Sequence, residues 1–88
     1  MWSDEEIKGK ILHKLTRMGK FRHSHTSIDN LPKGFPVHER SRVKKLVNEM
    51  KREGLLLSKP TAYGKEVSIN LGKRMEIQRL IEIFLKKK

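Results

Sequence analysis

The chain has 88 residues, with 21 lysines and arginines against 10 aspartates and glutamates, a formal net charge of +11 and no cysteine. One domain of this length buries a single modest core and leaves little room for a deep substrate cleft. The missing cysteines exclude disulfides and thiolate metal sites and suit a reducing, cytoplasmic compartment. The charge calls for a polyanionic partner, nucleic acid first and an anionic membrane surface second, although small basic proteins are also common in a thermophile or a ribosome-rich cytoplasm. The amphipathic, acidic start MWSDEEIKGK is no secretory signal, and no apolar run nears the length of a membrane span.

A first helix is predicted over residues 3–18. Ser3 and Glu6 have capping-box spacing, Trp2 and Ile7 are placed for a hydrophobic staple, and Asp4, Glu5 and Glu6 suit the positive end of the helix dipole. Ile7, Ile11, Leu15 and Met18 form one apolar stripe with Leu12 beside it, and Gly19 ends the helix. The charges on its outer face read as solvation. In the next stretch, Phe21, His23 and His25 alternate with Arg22 and Ser24, which predicts a short strand over 21–25. Thr26 or Ser27 then caps one short helical turn over 27–31, and LPKGFP breaks it.

Pro36 opens a helix over 36–53, with Gly54 just beyond its end. Val43, Leu46, Val47 and Met50 face the core at i, i+3, i+4 and i+7. Ser41, Lys45, Asn48 and Arg52 lie opposite, with His38 and Glu49 on one flank, Lys44 on the other, and Arg40 and Arg42 to the side. A β-hairpin follows over 55–71, made of Leu55–Lys59, a loop over 60–65, and Glu66–Leu71 with Val67, Ile69 and Leu71 on one face. The last helix, over 73–86, aligns Ile77, Leu80, Ile81, Phe84 and Leu85, and leaves Ile83 off the stripe.

The order of helix, strand, short helix, turn, longer helix and hairpin resembles the winged helix-turn-helix superfamily over residues 3–71, and small archaeal winged-helix DNA-binding proteins within it. The resemblance implies an α+β winged-helix domain spanning 1–88, with 36–53 as the recognition helix, 55–71 as the wing, and the C-terminal helix as an addition. It nominates the first half of the recognition helix for the deepest contacts, namely Val37, His38, Arg40, Ser41, Arg42, Lys44 and Lys45.

The residue chemistry supports nucleic acid separately. Arginine and lysine suit guanine, and asparagine suits adenine, in the major groove, and Asn48 and Arg52 extend the face towards bases or backbone. Lys59 and Lys65 flank the hairpin loop with Tyr63 at its tip, suited to a phosphate backbone or minor groove; Tyr63 can equally fold back on the hairpin. Lys33 in the turn, with Lys20 and Arg22, adds weaker backbone contacts. The competing reading of the recognition face is simple solvation, since Glu39 and Glu49 interrupt its positive run.

No phosphate-cradling loop and no spaced nucleophile–base pair is present, so no enzyme and no cofactor is expected. His23 and His25 could supply half a metal site, with His13, His38 or Asp29 as a third ligand. The favoured alternative buries His25 partly, hydrogen-bonded to backbone, with His23 near the surface. The expected function is therefore nucleic-acid binding, with duplex DNA ahead of RNA, as in a transcriptional regulator. An RNA-binding role in translation or RNA processing and a protein–protein module in a larger assembly stand as alternatives. The protein is expected as a monomer, or as a homodimer through the C-terminal helix if Ile83 is exposed.

Overall fold

A computed structural model describes residues 2–62 and 64–86. Three helices, α1 (Asp4–Arg17), α2 (Arg40–Arg52) and α3 (Arg74–Leu85), accompany three strands, β1 (Thr26–Ser27), β2 (Leu56–Thr61) and β3 (Gly64–Ile69). Single 3-10 turns lie at Ile28–Asn30, Val37–Glu39 and Leu71–Lys73. The strands form one antiparallel sheet in the order β1-β3-β2, so the architecture is α+β with β3 central.

Local chemistry sets the helix ends. Ser3 Oγ accepts from the Glu6 N–H at 3.1 Å while the Ser3 N–H donates to Glu6 Oε1 at 2.7 Å, completing the capping box. At the other end Gly19 takes φ 68° and the Lys20 N–H reaches back to the Leu15 carbonyl at 3.0 Å. α2 closes in the same way, with Gly54 at φ 80° and the Leu55 N–H on the Met50 carbonyl at 2.9 Å. Both ends need a left-handed residue, which glycine supplies without a Cβ clash.

The core gathers Ile7, Ile11, Leu12 and Leu15 from α1, and Val43, Leu46, Val47 and Met50 from α2. Leu55, Leu56 of β2, Val67 and Ile69 of β3, Ile77 and Leu80 of α3, and Leu31 and Phe35 from the connecting segment complete it. α1 packs most extensively on α3. Gly9 permits this approach: a Cβ built there would lie 2.1 Å from the Leu80 carbonyl oxygen and 2.8 Å from Phe84 Cβ. Trp2 stacks on Phe84 with ring centroids 6.0 Å apart and meets Phe35 edge-on at 5.9 Å, pinning the start of the chain to the far end of α3.

Three sequence expectations are corrected. Residues 21–25 are not a strand. Lys20 and Phe21 touch β3 briefly, through the Ile69 N–H on the Lys20 carbonyl at 2.8 Å. The chain then turns at Arg22, whose φ is 54°, and the Ser24 N–H bonds back to the Phe21 carbonyl. Sheet pairing resumes only at Thr26 and Ser27, opposite Val67 and Glu66. Alternation reports which faces side chains would take and says nothing about whether a ladder partner is in reach.

The hairpin loop is not six residues long. Pro60 pairs with Lys65 and Thr61 with Gly64, leaving residues 62 and 63 between the strands. Pro60 is accommodated because β2 is an edge strand. Met18 leaves the core stripe and is 43% exposed, since it lies past the last helical turn. Ile83, off the main stripe of α3, is half-buried against the core.

Candidate nucleic-acid interface

α2 buries Val43, Leu46, Val47 and Met50. At 100° per residue that places Ser41, Lys45, Asn48 and Arg52 outward with Lys44 and Arg40 to one side, and all six are exposed. Among the described residues, none of the four cations in this set has an ion-pair partner.

The acidic residues that interrupt the run in sequence do not interrupt this face. Glu39 Oε2 accepts from Arg42 Nη1 at 3.2 Å and its side chain is only 12% exposed. Glu49 and Glu53 both turn to Lys8 of α1, at 3.5 and 3.2 Å. Each carboxylate near α2 is thus directed to the helix–helix seam, and the outer face is left cationic.

Arg42 is spent in the same seam. Its Nε and Nη2 donate to Asp4 Oδ1 at 2.9 and 2.6 Å, across 38 residues of sequence. The hydrogen bond to Asp4 raises the Arg42 pKa above the ordinary arginine value, with attraction to Asp4 and Glu39 adding to it against a desolvation cost. The residue nominated as a DNA contact is thus ion-paired between α2 and the start of α1, with its side chain 31% exposed.

The remaining candidates scatter more. Val37 is 77% exposed on the 3-10 turn ahead of α2, and His38 lies beside it with Nε2 4.0 Å from Glu39 Oε1. Lys33 donates to Asn30 Oδ1 at 3.2 Å, so it braces its own turn while remaining exposed. Lys59 and Lys65 are both exposed, but Lys59 pairs with Glu66 and Lys65 with Pro60. Alternation along the strands therefore points the two lysines to opposite faces of the hairpin. Tyr63 lies outside the described residues.

The structure adds residues the sequence did not nominate. α2 runs alongside β2, and Asn48, Lys51 and Arg52 share a shallow groove with Leu57 and Ser58 of that edge strand. No spacing in the sequence announces this, because it depends on how the sheet docks on the helix.

His25 Nδ1 donates to the His23 carbonyl at 3.0 Å, a contact that ties the turn together, with the His23 side chain exposed. Among the described residues no three histidines or carboxylates lie close enough to hold a metal ion, and no helix is long and apolar enough to cross a membrane. No protein-family model, curated protein or solved structure matches the chain significantly.

Proposed function

We propose that this is a winged helix-turn-helix protein that binds double-stranded DNA and acts as a transcriptional regulator. The outer face of α2 enters the major groove, and the β2–β3 hairpin serves as the wing. The observation that carries the reading is the disposal of the acids. Glu39, Glu49 and Glu53 are all engaged by Arg42 and Lys8, which leaves Ser41, Lys45, Asn48 and Arg52 on the outer face with Lys44 and Arg40 exposed at its side. Cations and amides on one exposed helix face combine phosphate attraction with donors and acceptors for base edges.

In this reading Ile28–Asn30 and the Pro32–Phe35 turn stand where a positioning helix and its turn are expected, reduced to one 3-10 turn. Ser27 caps that turn through the Asp29 N–H. Leu31 and Phe35 anchor it in the core and so aim α2. Lys59 and Lys65, on opposite faces of the hairpin, meet a phosphate backbone that crosses its tip from either side.

The test is binding of duplex DNA over a salt series. A site using about six phosphates should lose about 10³-fold in affinity between about 50 and 200 mM salt. Competition with duplex RNA and with single strands decides which nucleic acid is preferred. No binding at the lower salt concentration overturns the proposal.

A further inference from the structure

The opposite side of α1 carries a second basic surface of different character. Asp4 and Lys8 face α2, whereas Lys10, His13, Lys14 and Arg17, at i, i+3, i+4 and i+7, lie on the other side of the helix. These four line a groove of about 900 Å³ whose remaining walls are Trp2, Met18, Phe84 and Leu85, with Lys33 and Gly34 at its rim. No aspartate or glutamate among the described residues lines it. Met18 and Leu85 stand 43% and 45% exposed there, an apolar surface left in water beneath a cationic rim.

The groove is built rather than incidental. Lys10 Nζ donates to the Gly34 carbonyl at 2.8 Å and lies 5.0 Å from the Trp2 ring centroid and 4.6 Å from that of Phe35. Lys14 Nζ donates to the Asn30 and Lys33 carbonyls at 3.0 and 3.3 Å. The two lysines thus fasten the 30–34 segment to α1 as one wall. The His13 ring lies against Phe84 at 5.7 Å on the other. Arg17 is exposed and, among the described residues, has no ion-pair partner.

This chemistry selects its occupant. A second copy of a chain with net charge +11 would bring an equally cationic groove against this one. A stacked nucleobase finds the aromatic rings already engaged with one another and with Lys10. A bare inorganic anion would leave Met18 and Leu85 uncovered. The volume lies within the range of roughly 300–1,000 Å³ typical of small-ligand sites. We propose that the groove binds a small amphipathic carboxylate, its apolar body against Met18, Phe84 and Leu85 and its head paired with Arg17, Lys14 and Lys33. No outer-face residue of α2 lines this groove, and Lys33 alone is shared with the residues nominated for nucleic acid.

The experiment titrates the full chain with decanoate and follows the fluorescence of its single tryptophan, Trp2, with isothermal calorimetry in parallel. Decanol and inorganic phosphate serve as body-only and charge-only probes. The expected result is saturable decanoate binding with neither control competing, weakened about tenfold or more by Arg17→Glu, which removes a charge-assisted partner. Among the described residues Arg17 forms no side-chain hydrogen bond or ion pair, so circular dichroism should stay unchanged in that variant. Leu85→Asp should weaken decanoate as well by removing the apolar wall. Decanol binding as tightly marks a plain apolar patch, and phosphate competing equally marks a plain charged surface. An unaltered decanoate affinity in Arg17→Glu, preference for an acidic peptide over decanoate, or no saturable signal would likewise overturn the proposal.

Discussion

α1 and α2 each display cations at helical spacing on one exposed side, yet the two stripes have become different surfaces. On α2 the cations stand clear on a convex helix face with serine and asparagine between them, and the neighbouring carboxylates are drawn into the α1–α2 seam. On α1 the cations border an indented, aromatic-walled groove, and two of the lysines are hydrogen-bonded to backbone carbonyls. The first arrangement suits a long, regular polyanion whose charges recur along its length. The second suits a small ligand with one charged end. A helical stripe of lysine and arginine therefore has no meaning until its neighbours are known.

The largest expected effect separates the two surfaces through their scaffold. Gly9→Ala drives a methyl into the Leu80 carbonyl and Phe84, so it should cost about 3 kcal/mol or more of unfolding free energy, measured by denaturant titration. Near that threshold the groove should be lost first, because Phe84 and Leu85 sit on the displaced helix; amide shifts confined to α2 instead would contradict the assigned packing. Next in size, Lys44→Glu with Lys45→Glu should lower duplex DNA affinity about 100-fold at low salt, equivalent to about 2.7 kcal/mol, with the melting temperature nearly unchanged. Lys14→Glu with Arg17→Glu should do much less to DNA binding. Equal losses from the two pairs would mean that charge alone, and not the α2 face, holds DNA.

Arg42→Ala tests whether this residue is a strut or a contact. It should lower thermal stability modestly, by an amount that shrinks as salt screens the exposed Asp4 pair. The salt slope of DNA binding should stay as in the parent protein; a slope shallower by about one unit would instead make Arg42 a phosphate contact. The smallest effect is expected at Ser68. Its Oγ is buried without a hydrogen-bond partner among the described residues, so Ser68→Ala should leave stability unchanged or raise it by a few tenths of a kcal/mol, about the gain expected on removing an unpaired hydroxyl. A clear loss in the melting temperature would show that the hydroxyl is satisfied after all.

The α1 capping box, the glycine ends of α1 and α2, and the α2 core stripe of Val43, Leu46, Val47 and Met50 could all be read directly from the chain. Each rests on interactions within four or five residues, where sequence spacing and spatial spacing coincide. The outward direction of Lys45, Asn48 and Arg52 follows from the same geometry. The false strand at 21–25 shows the limit of such reasoning. Phe21, His23 and His25 alternate correctly, but pairing needed a free stretch of β3, and Arg22 turned the chain away first.

What only the tertiary structure decided lies in pairs far apart along the chain. Asp4 with Arg42, and Lys8 with Glu49 and Glu53, determine which charges face solvent and which close the helix seam. Gly9 against Leu80 sets how closely α3 lies, and with it whether Trp2, Met18, Phe84 and Leu85 wall a groove around the α1 cations. By itself the sequence determined the helices, the hairpin, their apolar faces and a formal net charge of +11. Local hydrogen bonds and periodicity suffice for those, whereas the character of each charged surface depends on which helix packs against which, and at what distance.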